Sequence, residues 1–170
     1  ASPEDILIQI TVHNRGSEPA TLHLLPTLWF RNDWSCGESV SRPVLRQVAH
    51  DKTGGIIALS HRELGERFCY AEGASALLFT ENETNTQRLV GTPNASPYVK
   101  DSINDFLLHG KKDAINPGKK GTKVAAHYTV TIGSRASQTI RLRLTDQPPK
   151  ASGKAMNGVF GKAFDSLLKT

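Results

Sequence analysis

Val124-Ala125-Ala126-His127-Tyr128-Thr129-Val130-Thr131-Ile132, followed shortly by Ser137-Gln138-Thr139-Ile140-Arg141-Leu142-Arg143-Leu144-Thr145, alternates residue type with a period of two through both runs. In the first run Val124, Ala126, Tyr128, Val130 and Ile132 share one face, and Ala125, His127, Thr129 and Thr131 share the other. Successive side chains of a pleated strand leave opposite faces, so both runs read as strands. In the second, Ile140, Leu142 and Leu144 point inward while Arg141 and Arg143 point outward. Two such strands in succession predict an antiparallel hairpin and place His127 on a solvent face.

The same signal recurs toward the start. From Asp5 to Asn14, Ile6, Ile8, Ile10 and Val12 alternate with Leu7, Gln9, Thr11 and His13, and the turn residues Asn14-Arg15-Gly16-Ser17-Glu18-Pro19 lead into a second run from Ala20 to Leu25. These two also predict a hairpin, with Pro26 ending the second strand or confining it to an edge because it has no N–H to donate. Short apolar runs at Leu45–His50, Gly55–Leu59, Arg67–Glu72 and Ala76–Thr80, punctuated by Gly, Asp and His, suit a meander. The fold class that follows is all-β, an antiparallel sandwich.

Composition bounds the rest. A chain of 170 residues with 38% hydrophobic and 22% charged residues builds one ordinary domain with its own core. No apolar run approaches the roughly 20 residues of a spanning helix, so no membrane partner is expected. The net charge of +5 is scattered apart from Lys111-Lys112 and Lys119-Lys120. Nucleic-acid binding needs a clustered basic face, and none is expected here. Cys36 and Cys69 stand at no zinc-ligand or disulfide-framework spacing, the six histidines are dispersed, and neither a metal nor a cofactor is predicted. A reduced, cytoplasmic protein is the resulting expectation. The chain begins Ala1-Ser2-Pro3 without an initiator Met or a signal peptide, and its single Met is Met156, which reads as a piece of a longer protein.

Between Thr80 and Gly121 the periodicity lapses. The segment is rich in Asn, Thr, Pro, Asp and Gly, with one apolar stretch at Ile103–Leu108 and a capped short helix or turn predicted at Asp101-Ser102-Ile103-Asn104-Asp105. So long an irregular excursion is either functional or an irregular loop packed on its own sandwich. Past Asp146 a Pro-rich linker (147–158) precedes Phe160, Phe164, Leu167 and Leu168, spaced as one apolar face of a helix over 159–170. Such a short helix must pack on the sandwich or continue in a longer parent. The sandwich itself occupies 1–146.

Two clusters carry candidate chemistry. Leu25–Trp34 holds both tryptophans, Trp29 and Trp34, interleaved with Arg31, Asn32 and Asp33. Flat rings stack on the apolar faces of sugars while charged and amide groups bond the hydroxyls, so the composition suits a carbohydrate surface. The competing reading makes Trp29 and Phe30 core anchors and Arg31–Asp33 a polar turn. The second cluster runs from Glu81, Asn82, Glu83 and Asn85 to Tyr98 and Asp101. Glu81, Glu83, Asp101 and Asp105 raise a paired-carboxylate glycosidase centre, a pattern that polar loops also produce by chance. Asn82-Glu83-Thr84 and Asn94-Ala95-Ser96 match glycosylation acceptors and are read as coincidence, since no secretory signal accompanies them.

In order along the chain stand Pro3-Glu4-Asp5-Ile6-Leu7-Ile8, His23-Leu24-Leu25-Pro26-Thr27-Leu28-Trp29-Phe30-Arg31-Asn32, Leu78-Phe79-Thr80-Glu81-Asn82-Glu83-Thr84-Asn85 and Asn94-Ala95-Ser96-Pro97-Tyr98-Val99-Lys100-Asp101. Together, from about Pro3 to Thr145, they resemble the N-terminal region of large bacterial proteins similar to glycoside hydrolase family 63, the mannosyl-oligosaccharide glucosidase group. That resemblance implies a supersandwich-like β-domain packed against a downstream α/α toroid that holds the catalytic carboxylates, with the helical tail leading toward it. It implies no catalytic residue in this chain and makes Glu81 and Glu83 loop or interface residues. One departure is Cys36 in Trp34-Ser35-Cys36-Gly37, where the resemblance implies a second aromatic. The expectation is a non-catalytic domain whose Trp29, Arg31, Asn32, Asp33, Trp34, Glu81, Asn82, Asn85, Tyr98 and Asp101 contact an oligosaccharide or the toroid. A free-standing carbohydrate-binding sandwich and a purely structural interaction domain are the alternatives.

Overall fold

The computed structural model describes residues 2–35, 41–150, 156 and 158–169. Cys36 and parts of the 147–158 linker lie outside the described residues. The chain is an antiparallel β-sandwich closed by a short C-terminal helix. Its strands are β1 (Asp5–His13), β2 (Ala20–Leu24), β3 (Thr27–Trp29), β4 (Val44–Asp51), β5 (Gly54–His61), β6 (Gly65–Glu72), β7 (Ala76–Thr80), β8 (Lys120–Gly121), β9 (Lys123–Ile132) and β10 (Ser137–Thr145). Among the described residues the helices are α1 (Thr86–Val90), α2 (Ser102–His109) and α3 (Lys162–Leu168), with a 3-10 turn at Lys112–Ala114.

The large sheet runs β1-β10-β6-β5-β4-β8. In the small sheet β9 is central, with β2 and β3 along one side and β7 along the other. β2 and β3 share a single register against β9, because Leu24 pairs with Tyr128 and Thr27 with Ala125. Leu25 and Pro26 stand between them, and the break falls at Pro26. Its carbonyl accepts from Ala126 N at 2.9 Å, but it has no N–H to return the bond.

Local turn chemistry sets the meander β4-β5-β6. Asp51 Oδ1 accepts from Thr53 N at 2.7 Å and Thr53 Oγ1 at 2.6 Å, closing the turn into Gly54. Gly54 has φ +132°, and a Cβ there would stand 2.1 Å from the Ala71 carbonyl oxygen, so only glycine fits.

Both expected terminal hairpins are corrected. β1 pairs with β10 and β2 with β9, so β1 and β2 belong to opposite sheets, as do β9 and β10. Each connection arches over the core instead of folding strands edge to edge. Asn14 ties the two arches together, donating through Nδ2 to Glu18 O, Ile132 O and Gly133 O at 2.8–3.1 Å. The apolar faces expected for β1, β9 and β10 do point inward; facing one another across the core satisfies those faces as well as lying side by side would.

Between the sheets lie Leu45, Ile57, Leu59, Cys69, Ala71, Leu77, Phe79, Val124, Ala126, Tyr128, Ile140 and Leu142. Burial pushes the Cys69 thiol up to about 12, which leaves it a neutral core residue. A second cluster joins the outer face of the small sheet, through Leu78 and Ala125, to Ile103 and Ile115 of the 81–119 excursion. The part of the small sheet around Leu78, Ala125 and His127 is therefore covered on both faces, while Thr129 and Thr131 stay exposed. That corrects the placement of His127, which is only 8% exposed beneath Phe106 of α2 and hydrogen-bonded to His23 at 2.8 Å.

On the opposite side of the molecule, α3 packs back onto the sandwich. Phe164 is fully buried, and the Arg141 guanidinium lies over both Phe160 and Phe164 at about 5.5 Å. Arg141 also pairs with Glu72 at 2.6 Å and Asp165 at 3.2 Å, and Arg143 with Asp5 at 2.7 Å.

Candidate functional site

The alternation of β3 and β9 decides where the site opens. Leu28 and its partner Val124 point into the core, so Thr27 and Trp29 point outward, and Trp29 pairs directly with Lys123. On the other side of β9, Thr80 pairs with the same Lys123. Trp29, Lys123 and Thr80 thus form the last row of the small sheet's outer face. The excursion covers the next rows with Ile103 and Phe106 and, in this one, reaches Thr80 and Lys123 but leaves Trp29 in solvent.

What remains is an open cleft of about 450 Å³ lined by Thr27, Trp29, Asn82, Lys100 and Lys123. Trp29 is 58% exposed, so it is not a core anchor. Its neighbour Phe30 takes that role, packing against the core and stacking on His61 at 5.1 Å. The competing reading of the Trp29-Phe30 pair therefore holds for the second residue and fails for the first.

Behind the cleft, a polar network joins the two clusters singled out in the sequence. Asn82 Nδ2 donates to Phe30 O at 2.8 Å and Asn32 Nδ2 to Asn82 O at 3.3 Å, fastening the turn after β3 to the start of the excursion. Trp34 donates its indole N–H to Glu83 Oε1 at 3.2 Å. Glu81 accepts from Thr122 N and Oγ1 at 3.0 and 2.8 Å, and its own N–H donates to Tyr98 O. Arg42 bridges Glu81 and Glu83 at 2.8 and 2.9 Å and lies over the Trp34 ring at 5.8 Å. Asn85 caps α1, donates to both carboxylate oxygens of Asp101 at 3.3 Å and accepts from Asn94 Nδ2 at 2.9 Å.

Asp101 stands at the start of α2 without capping it. Its carboxylate turns instead to Asn85 and Arg88. Arg31 and Asp33 are exposed at the rim of the turn. The sequence-predicted residues are thus brought into one region, where most of them build the wall and Trp29 and Asn82 line the opening. Both acceptor asparagines, Asn82 and Asn94, spend their amides on internal bonds. Glu81 and Glu83 share one guanidinium, an arrangement that serves a structural corner better than a pair of opposed catalytic acids.

Three participants escaped sequence reading. Arg42 follows a polar stretch with no pattern. Lys100 stood inside a quoted motif without a role. Lys123 had a legible signal, being the charged residue that opens an otherwise buried strand. Among the described residues no group of three or more His, Cys, Asp or Glu side chains could hold a metal ion, and no helix is long and apolar enough to cross a membrane.

No protein-family model matches the chain, and no solved structure matches it. It is similar to the uncharacterized protein YMR196W of Saccharomyces cerevisiae, 29% identical over 184 aligned positions that take in 92% of this chain. The chain spans 16% of the length of that relative.

Proposed function

We propose that the chain is a non-catalytic, sugar-contacting β-sandwich module of a larger protein similar to glycoside hydrolase family 63, acting in the cytoplasm. The observation that carries the reading is the exposed Trp29 ring in an open cleft beside the Asn82 amide, since a large ring left in solvent with polar neighbours is the usual platform for a pyranose. The relative's far greater length supports the modular part. The partner that fits is a downstream α/α domain of the parent chain, with the Glu81–Asp101 wall and the Trp29–Trp34 turn directed toward it.

Two measurements test this. The chain alone should show no turnover of α-glucosides; turnover abolished by Glu81→Gln would put catalysis inside the sandwich and sink the reading. Binding of maltooligosaccharides to the chain, followed by heteronuclear NMR, should perturb the Trp29 indole and disappear in Trp29→Ala. Perturbation confined to residues away from the cleft would count against it.

A further inference from the structure

The charges around the cleft are unevenly neutralised. Every carboxylate of the wall is paired: Glu81 and Glu83 share Arg42, and Asp101 binds Asn85 and Arg88. The two ammonium groups do not. Lys123 Nζ donates to Lys100 O at 3.0 Å and Lys100 Nζ to Thr84 Oγ1 at 3.1 Å, both neutral acceptors. Among the described residues neither lysine is within ion-pair distance of a carboxylate. An ammonium has three donors, so each keeps two for something else.

Lys123 has, in addition, been placed where its charge is disfavoured. Burial and the neighbouring Lys100 charge hold its amine below the ordinary 10.5, with Asp101 pulling weakly the other way. Thr80, its cross-strand partner, has a fully buried hydroxyl with no hydrogen-bond partner. A half-buried lysine beside a second lysine is a costly placement, and an anion bound by both ammonium groups offsets their mutual repulsion.

We propose that the Trp29 cleft binds a sugar bearing an anionic substituent, a carboxylate or a phosphate, with the ring on Trp29 and the anionic oxygens on Lys100 and Lys123. The inference rests on the carbohydrate reading above and specifies its ligand. The volume of about 450 Å³ lies within the range of roughly 300–1,000 Å³ common for small-ligand sites.

Calorimetric titration of the chain with matched pairs decides it: maltose against maltobionate, and glucose against glucose 6-phosphate, with inorganic phosphate alone as a fifth ligand. The anionic member of at least one pair should bind about tenfold more tightly, a preference that falls on raising the salt. Whichever pair shows it identifies carboxylate or phosphate. Lys100→Gln and Lys123→Gln should each remove most of the preference by weakening the anionic member far more than the neutral one, and Trp29→Ala should weaken both members alike. Equal binding within both pairs would overturn this inference and leave the carbohydrate reading standing. Inorganic phosphate binding as tightly as glucose 6-phosphate would overturn the sugar part, and no binding by any ligand would overturn both. Circular dichroism of the lysine variants separates lost binding from lost folding.

Discussion

The two sheets are covered on their outer faces in opposite ways. Over the large sheet, α3 is held by one deeply buried ring, Phe164, framed by arginine ion pairs. Over the small sheet, the 81–119 excursion is held by Ile103, Ile115, Phe106 and Leu107 and by a chain of asparagine amides, and it leaves the Trp29 end of the last row open. A cover held by one compact cluster of contacts comes away as a unit. One fixed at many points can stop part-way along a sheet and hold an opening of defined shape, which is what a binding cleft requires.

That contrast can be broken most severely at Phe164. Truncation to alanine should cost about 3–5 kcal/mol, the usual range for a buried phenylalanine, and release α3. Proteolysis near residues 158–169 together with urea denaturation reads both effects; an intact α3 in Phe164→Ala would mean the arginines hold it. On the other face, Ile103→Ala should cost about 2–4 kcal/mol yet leave the excursion attached through its amides, so amide exchange should rise around α2 and stay low at Asn82.

Asn85→Ala is the next smaller change. It removes the α1 cap and the bonds to Asp101 and Asn94 at once, for a loss of about 1–3 kcal/mol in the urea midpoint free energy. Stability unchanged in this variant would show that the apolar contacts alone position the excursion.

A pH effect should also distinguish the two covers. Burial, and then the charge of His23, hold His127 below its ordinary 6.5, so the folded protein binds fewer protons there than the unfolded chain. The stability this group contributes is complete above about pH 6.5 and is lost as the pH falls through its folded value. Urea midpoints should therefore drop between pH 7.5 and pH 5, less so in His127→Gln, with amide exchange rising first in α2 and not in α3. The smallest effect belongs to Trp29→Ala, which should change stability by no more than about 0.5 kcal/mol because the ring is largely in solvent. A loss of several kcal/mol would make Trp29 a packing residue.

Much of this architecture was legible in the amino-acid order, and the limits are physical. Period-two alternation told which faces of β1, β9 and β10 are apolar, because the pleat dictates it. It did not tell which strands pair, since an inward face is satisfied equally by a neighbour beside it and by a sheet opposite, and so two arches looked like hairpins. On the second face of β9 the solvated reading holds for Thr129 and Thr131 and fails for His127. The cover of His127 comes from Phe106, in a segment whose own polar composition hid its role. For the cleft, Trp29 and Asn82 were visible as types suited to sugars, while Arg42, Lys100 and Lys123 acquire meaning only through partners distant in the chain.

The pairing of β1 with β10 has a consequence for how the molecule comes into being. Asp5 meets Thr145 and His13 meets Ser137, so β1 has no sheet partner until almost all of the sandwich that follows it has left the ribosome. β2 waits similarly for β9. Meanwhile β4, β5 and β6 can form at once from neighbours in sequence. The meander is therefore the natural nucleus, closure of the outer strands the slow and late step, and β1, with its row of isoleucines, the segment most exposed to mispairing in the interval.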